Sequence, residues 1–314
     1  MDKELLSSAT AVRDAVKEEL TLYLAQQRDY LTSIASELTP VCDALEDYLL
    51  EGGKRLRPLF AYIGFLGTGS KPSVEILRAC AALELVHVCA LMHDDVMDAS
   101  DTRRGAPSIH KAFEALHDEE KLSGSSEQFG ISAAILLGDL ALVWSAKMLH
   151  QSGIDNESMI RSFPMYDEMR VELMAGQYLD VYEQALASES VERSLKVARY
   201  KSGKYTIERP LHFGAALGNG KLDLFETYSK YGLPLGEAFQ LRDDILGIFG
   251  DPQETGKPAG RSKLPSLNTS TAFTTRAVGI QHWAGKAPSL SKGKWLKRAF
   301  GAALKRDRSI PHLV

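Results

Sequence analysis

At residues 79–96 the sequence is ACAALELVHVCALMHDDV. Before its closing acids, this stretch is interrupted by three polar side chains: Glu84, His87 and His93. A helix that is apolar on nearly every side is buried on most sides. The stretch therefore predicts an interior helix of an all-α protein, with acidic groups near its carboxyl end.

The rest of the chain up to about residue 250 repeats the three- and four-residue spacing of apolar positions that is typical of helices. Helices are predicted over residues 10–26, 31–50, 130–149, 165–186, 191–217 and 222–249, with loops at 121–128 and 251–260. The apolar positions assigned to the first two are Leu20, Leu22, Leu24, Tyr30, Ile34 and Leu38. Convincing β alternation is absent from the sequence. We expect a helical bundle whose site lies between facing helices.

Two acidic clusters indicate the chemistry of that site. The first is HDDVMD at residues 93–98, followed by Arg103 and Arg104, and the second is FQLRDDILG at residues 239–247. Asp94 and Asp98 are four residues apart and share one helix face, with Asp95 beside them. Such carboxylates repel one another unless a hard divalent cation joins them, and the arginine forks suit phosphate. The clusters predict a Mg²⁺-diphosphate site.

A basic turn supplies a second group of phosphate-type residues. It has the sequence GGKRLRP at residues 52–58, in which Lys54 offers a point charge and Arg57 a guanidinium fork. His87 lies two helical turns before Asp94 and therefore faces the same side. A solvated basic loop and a core histidine are the simpler interpretations of these residues.

Composition limits the class of protein. The 314 residues carry a net charge of −4, and the three cysteines lack the spacing of a disulfide framework or metal motif. The first residues show no signal peptide, and no uninterrupted apolar run reaches 18 residues. We expect a cytoplasmic protein with no stable membrane insertion and no nucleic-acid partner.

The last 54 residues differ from the others. Residues 261–314 contain eleven Lys or Arg and one acid, whereas residues 1–260 contain 26 Lys or Arg and 40 acids. We expect a helical domain over 1–260 and a basic, poorly ordered tail over 261–314. A shifted reading frame or recombined end explains this jump better than a tail that binds anionic membrane or nucleic acid.

The motifs together resemble the trans-isoprenyl diphosphate synthases, or polyprenyl synthetases, and most nearly the geranylgeranyl diphosphate synthases. The likeness rests on five blocks in family order: residues 52–58, His87, residues 94–104, residues 200–206 and residues 239–258. It implies an isoprenoid-synthase-type helical bundle with a central active-site cavity, and a homodimer. It also implies condensation of isopentenyl diphosphate with an allylic diphosphate, with three Mg²⁺ ions per site.

The resemblance assigns roles residue by residue. Asp94, Asp98 and Asp243 would ligate Mg²⁺, with Asp95 and Asp244 supporting them. The allylic diphosphate would be bound by Arg103, Lys201, Ser202 and Gln240. The isopentenyl diphosphate would be bound by Lys54, Arg57, His87 and Arg104, and Lys257 would help close the site. A further helix with Gly176, Gln177 and Asp180 is expected to line the cavity, although a packing role suits it nearly as well.

Two departures from the family pattern bear on activity. Gly247 stands where many members have Asp, which leaves Asp243 and Asp244, with Asp251 as possible help. Lys257 is present, but the acid and lysine expected after it are missing. An impaired or non-catalytic synthase subunit is therefore one alternative.

Product length depends on the helix before Asp94. Cys89 and Ala90 are small where members with shorter products often carry aromatics, so the resemblance implies a C20 product. A class I terpene cyclase would ionise the same substrates but needs no isopentenyl site. A His-Asp phosphohydrolase is suggested by His93 and Asp94, yet its further histidines are missing.

Overall fold

A computed structural model describes residues 8–186 and 190–249 of the chain, and within these ranges the protein is almost entirely helical. The helices are α1 Ala9–Ile34, α2 Thr39–Leu50, α3 Leu56–Leu66, α4 Val74–Met97, α5 Ile109–Glu119, α6 Ser126–His150, α7 Asn156–Leu186, α8 Val191–Val197, α9 Arg209–Leu217 and α10 Leu222–Phe249. A 3₁₀ turn spans Ser36–Leu38, and a π-helical segment spans Ala198–Glu208. Strands β1 Thr102–Arg103 and β2 Ala106–Pro107 form a small antiparallel hairpin. The predicted all-α class is confirmed.

Helix α4 is the central element of the bundle, as its sequence predicts. The hydroxyl of Ser73 accepts a hydrogen bond from the backbone N–H of Ile76 and so caps the helix. Buried side chains then occur on every face between Ile76 and Asp95, because α1, α3 and α6 all pack against it. An all-apolar surface is stable only with neighbours on all sides. This packing brings the acidic end of α4 into the interior of the bundle.

The first two helices differ from their prediction in two ways: their boundaries are different, and some of the residues predicted to be buried are exposed. One helix, α1, runs through residues 26–31, where a break was expected, and Leu22, Tyr30 and Ile34 lie exposed on it. Two polar residues belong to the buried face because each has a partner there. The carboxylate of Glu19 accepts from Arg78 Nε at 2.8 Å, and Gln27 Oε1 accepts from Lys147 at 2.8 Å.

Helix α6 is unusually apolar for a helix of a water-exposed bundle. By length and composition it could cross a membrane, with a mean hydropathy of 1.8 over an 18-residue window. One such helix is weak evidence, since core helices pass the same test, and α6 packs against α4 and α5. Its outer face leaves Leu136 and Val143 more than 60% exposed.

The predicted helix over 191–217 is three elements: α8, the π-helical segment and α9. The π-helical segment lies between α7 and α10 and packs against both. A Cβ atom on Gly176 of α7 would stand 2.3 Å from the backbone nitrogen of Lys201, and one on Gly236 of α10 would stand 2.4 Å from the carbonyl oxygen of Gly203. Only glycine fits either position. The two contacts hold the backbone of residues 201–203 between two long helices.

A buried ion pair holds the basic turn that precedes α3. Arg55 has a left-handed backbone conformation, with φ of 47°, and its Nη1 donates to Glu84 Oε1 of α4 at 2.8 Å. Its Nη2 donates to the carbonyl oxygen of Leu49. The two charged side chains are 4% and 2% exposed. Glu84 therefore interrupts the apolar stretch of α4 because it neutralises this arginine.

The remaining predicted helices are present. Helix α7 begins at Asn156, earlier than predicted, and continues through Pro164. The predicted helix over 222–249 coincides with α10. The predicted tail at 261–314 and the predicted loop at 251–260 both lie outside the described residues.

Candidate active site

The site lies where the carboxyl end of α4 meets the π-helical segment and α7. Lys201 Nζ donates to Asp94 Oδ1 at 2.9 Å and to Asp180 Oδ2 at 2.6 Å. The side-chain amide of Gln177 also donates to Asp94 Oδ1, at 2.9 Å. The structure thus brings the first acidic motif, the predicted lysine and the α7 residues together.

Opposite charges govern the protonation of these groups. Burial alone would raise the pKa of Asp94, but Lys201 and Arg103 outweigh it and the pKa is lowered. Burial would lower the pKa of Lys201, but Asp94 and Asp180 outweigh it and the pKa is raised well above its usual range. Asp98 differs, since burial and then the charge of Asp94 raise its pKa. Asp94 and Asp98 are therefore a like-charged pair that an added cation would stabilise.

Asp95 has contacts within the protein. Its side chain is fully buried, and its carboxylate accepts hydrogen bonds from Arg103 Nε at 2.9 Å and from the Tyr48 hydroxyl at 2.8 Å. The Nη2 group of Arg103 also donates to Asp95, and it lies 3.6 Å from Asp94 Oδ2. Asp95 thereby fixes the guanidinium of Arg103 next to Asp94.

Arg104 follows in the hairpin turn, with φ of 53° and Gly105 at φ of 83° after it. Its Nη1 donates to the carbonyl oxygen of Glu51 at 2.8 Å and, more weakly, to that of Tyr48 at 3.4 Å. The left-handed turn directs Arg103 and Arg104 to different parts of the site. Arg103 lies on the Asp94 side, and Arg104 lies on the side of the basic turn.

Arg57 and His87 meet around Tyr205 of the π-helical segment. The guanidinium carbon of Arg57 stands 4.1 Å from the centre of the Tyr205 ring, and Arg57 Nη2 donates to Thr206 at 2.9 Å. The centre of the His87 ring is 6.4 Å from that of Tyr205. Within the described part of the chain, Arg57 Nε, His87 Nδ1 and the Tyr205 hydroxyl are buried and have no hydrogen-bond partner. Unsatisfied buried polar atoms of this kind indicate a polar ligand.

His87 and Asp94 both face the π-helical segment, as their seven-residue spacing predicts. Burial lowers the pKa of His87 strongly, and Arg57 and Arg104 add to this effect. The imidazole is therefore neutral near pH 7 and carries one N–H donor. Lys54 is exposed in the turn before α3.

The second acidic motif lies on the last turns of α10. Gln240 is half-buried and Asp243 exposed, and both make contacts. The backbone of Asp244 belongs to α10, but its side chain lies outside the described part, as does Lys257. Ser202 is half-buried next to Lys201. The structure thus places the π-helical segment between the two motifs, because α10 packs along it.

Cys89 and Ala90 lie on different sides of α4. Cys89 is fully buried with its sulfur 3.8 Å from His93 Nδ1, and Ala90 is partly exposed. His93 Nε2 lies 3.1 Å from the carbonyl oxygen of Ile135 in α6. His93 therefore packs between α4 and α6, whereas Asp94 faces Lys201. This divergence gives no support to a His-Asp phosphohydrolase.

The donor set suits Mg²⁺ better than a softer metal. Among the described residues, no group of three or more His, Cys, Asp or Glu side chains is assembled as a metal cage. The carboxylates of Asp94 and Asp98 come as a pair, and Mg²⁺ typically takes one or two carboxylates and completes its shell with phosphate oxygens and waters. A paired-carboxylate site beside cationic side chains fits that pattern.

A cavity of about 430 Å³ lies elsewhere, at the amino end of α4. It is lined by Lys71, Ser73, Arg161 and Asn219, among others, and by none of the predicted site residues. We assign it no part in the site.

Three residues at the site were missed by sequence reasoning. Glu84 stood out as a charge in an apolar helix, and that signal could have revealed its buried partner. Tyr205 lies inside a quoted block but received no role. Tyr48 carries no signal in the sequence, because a tyrosine on an amphipathic helix is ordinary.

Comparison with known proteins identifies one family. The polyprenyl synthetase family model matches residues 39–269. A farnesyl diphosphate synthase of Geobacillus stearothermophilus is 33% identical over 239 residues, which cover 73% of this chain and 74% of that protein. A geranylfarnesyl diphosphate synthase of Aeropyrum pernix is 32% identical over 212 residues, which cover 66% of this chain but only 61% of that protein.

A solved structure is also similar over most of its length. It is a geranylgeranyl pyrophosphate synthase from Corynebacterium glutamicum, complexed with isoprenyl diphosphate and magnesium. The TM-score is 0.78 at 37% identity, with 96% of this chain and 94% of that chain covered. These relatives are named for products of different chain length.

Proposed function

Because this chain belongs to the polyprenyl synthetase family, we propose that it condenses isopentenyl diphosphate with an allylic diphosphate and releases geranylgeranyl diphosphate (C20). The observation that carries the proposal is the meeting of Asp94 and Asp98 with Lys201 and Arg103 at the carboxyl end of α4. Carboxylates that can hold a metal, next to fixed cations, are what ionisation of a diphosphate ester requires.

Mg²⁺ is the proposed cofactor, with three ions per site as the family resemblance implies. Asp94 and Asp98 would hold it on one side, and Asp243 on α10 would hold it on the other. When bound, the metal would neutralise the charge that develops on the departing diphosphate.

The residues of this chain would assist the same ionisation. Lys201 remains protonated, since its pKa is raised, and it can donate to a diphosphate oxygen beside Asp94. Arg103 is held by Asp95 at the same edge and adds a second cation. Breaking the allylic C–O bond leaves a carbocation, and the double bond of isopentenyl diphosphate attacks it. A proton is then lost to the released diphosphate.

The second substrate would bind on the other side of α4. Lys54, Arg57 and Arg104 supply positive charge for the isopentenyl diphosphate, and neutral His87 supplies an N–H donor. The partnerless Nε of Arg57 and Nδ1 of His87, noted above for the described residues, support a ligand at this place. A terpene cyclase would need none of these groups.

The C20 product is proposed from the small side chains of Cys89 and Ala90, one turn before Asp94. Neither position carries an aromatic ring, so neither would block a growing chain that passes along its side of α4. Relatives named for C15 and C25 products match the chain about equally well, so product length rests on these two positions alone.

A homodimer is proposed from the outer face of α6. Leu136 and Val143 are 65% and 62% exposed on a helix whose mean hydropathy is 1.8. A second copy placed on this face would remove apolar area from water. Replacing Leu136 by Glu should shift the purified protein from dimer to monomer in light scattering, and an unchanged mass would contradict the proposed interface. The cytoplasmic location stays a prediction.

One incubation tests the activity. Purified protein receives labelled isopentenyl diphosphate with dimethylallyl, geranyl or farnesyl diphosphate, each with Mg²⁺ or with EDTA. We expect chain extension to C20 with Mg²⁺ only. Products formed without isopentenyl diphosphate would indicate a cyclase. A folded protein that gives no product under any condition would indicate a non-catalytic subunit and refute the proposal.

A further inference from the structure

The carboxyl end of α2 contacts Arg104 directly and Arg103 through Asp95. The hydroxyl of Tyr48 donates to Asp95 Oδ2 at 2.8 Å, and Asp95 in turn accepts from Arg103 Nε at 2.9 Å. The carbonyl oxygens of Tyr48 and Glu51 accept from Arg104 Nη1 at 3.4 and 2.8 Å. The guanidinium carbon of Arg104 also lies 6.0 Å from the centre of the Tyr48 ring. One tyrosine therefore touches the supports of both cations.

The Asp95 carboxylate is shared between two donors of different strength. Arg103 Nε donates to both oxygens of Asp95 at 2.9 Å, and its Nη2 donates to Oδ1. The Tyr48 hydroxyl donates to Oδ2 from α2 at 2.8 Å, so the carboxylate is held from a second direction. Burial raises the pKa of Tyr48, so the phenol keeps its proton and acts as the donor. Asp95 is fully buried, which makes each of these hydrogen bonds stronger than it would be in water.

The orientation of Arg103 follows from this arrangement. Its Nε and Nη2 groups are directed at Asp95 and Asp94. Among the described contacts, Nη1 is the nitrogen left for a diphosphate oxygen. A small rotation of Asp95 would turn that nitrogen away, because the guanidinium is planar and moves as one unit.

We propose that Tyr48 is a positioning residue, whose hydroxyl holds Arg103 through Asp95 in the orientation that receives the allylic diphosphate. This inference rests on the proposed function and adds a residue to it. Tyr48 acts through Asp95, which accepts hydrogen bonds from both Tyr48 and Arg103.

Tyr48→Phe tests the proposal, because it removes the hydroxyl and keeps the ring over Arg104. We expect kcat/KM for the allylic diphosphate to fall about tenfold, which is less than the roughly 10²-fold loss that a 1 Å misplacement of a catalytic group can cause. Binding of inorganic diphosphate with Mg²⁺, measured by calorimetry, should weaken by a similar factor. The matched control is Tyr23→Phe. Tyr23 donates to the carbonyl oxygen of Trp144 at 3.2 Å, in a buried contact between α1 and α6. The Tyr23→Phe variant should lose about as much thermal stability as Tyr48→Phe and keep wild-type kinetics.

A double-variant cycle separates positioning from general loosening of the fold. In an Arg103→Lys background the guanidinium is gone, so Tyr48→Phe should lower kcat/KM for the allylic diphosphate by less than twofold. Equal losses in both backgrounds would overturn the proposal, and so would a Tyr48→Phe variant with wild-type kinetics and diphosphate affinity. If the wild type binds inorganic diphosphate but forms no product, the calorimetric comparison still decides the role of Tyr48. A wild type that binds no diphosphate would overturn both the proposed function and this inference.

Discussion

Replacing Glu84 by Gln should destabilise the protein far more than its single lost charge suggests. Glu84 and Arg55 form an ion pair whose side chains are 2% and 4% exposed, at 2.8 Å. The substitution leaves Arg55 charged and buried without its anion. Removing one partner of a buried pair costs about 3–5 kcal/mol, whereas exposed pairs contribute about 0.2–1 kcal/mol.

The lower end of that range is expected here. Arg55 keeps one contact after the change, the carbonyl oxygen of Leu49, and Gln can still offer its amide oxygen. We therefore expect a loss of about 3 kcal/mol in the free energy of unfolding, or about 100-fold in the folding equilibrium. The measurement is urea unfolding followed by far-UV circular dichroism. The control is Asp43→Asn, whose pair with Arg28 has side chains 59% and 28% exposed; it should lose less than about 1 kcal/mol.

A second variant distinguishes an unpaired charge from lost packing. Arg55→Met combined with Glu84→Leu removes both charges, and apolar replacement of a whole buried pair is often neutral. The double variant should therefore be more stable than Glu84→Gln alone. A Glu84→Gln variant within 1 kcal/mol of wild type would show that Arg55 is not buried as described.

Three further outcomes are expected. Asp94→Ala should lower kcat by about 10²–10³, because it removes a metal ligand and leaves the departing diphosphate less stabilised; a value within twofold of wild type, or full activity in EDTA, would contradict this. Ala90→Phe or Cys89→Phe should shift the product from C20 toward C15, because a close-packed wall cannot move aside and the added ring would fill part of the cavity. Folded variants with an unchanged product distribution would show that these positions do not line the cavity. The free energy of unfolding should fall as the pH drops from 7.5 to 5.5. Burial lowers the pKa of three histidines in the folded protein, so the unfolded chain binds protons at a higher pH than the folded one. Equal urea midpoints at the two pH values would contradict this prediction. The histidines are His87, His110 and His212.

Apolar periodicity was sufficient to predict the central helix and most of the others. Helix α4 was predictable because it is apolar on all sides, and only an interior helix tolerates that pattern. Helix α1 was assigned the wrong face because periodicity counts apolar residues alone. Its inner face includes Glu19 and Gln27, which are buried only because Arg78 and Lys147, distant in sequence, reach them.

The sequence pointed to the charged residues of the candidate site, but not to the residues and backbone segments that hold them in place. The acids and cations carry their own signal, since clustered like charges require a partner. The π-helical segment has no such signal, because one extra residue per turn changes the apolar spacing too little to detect. Tyr48 was missed for a related reason: its role arises from α2 meeting Asp95, 47 residues later, and no local pattern encodes that contact.

The glycine contacts on either side of Lys201 have a mechanical consequence. Side chains between helices usually change rotamer and absorb small shifts of one helix against another. Gly176 and Gly236 place backbone directly on backbone instead, so the crossing has no such compliance. A shift of α10, which carries Asp243, would press directly on the backbone of Gly203, two residues from Lys201. The positions of Asp243 and Lys201 are therefore coupled through contacts between backbones.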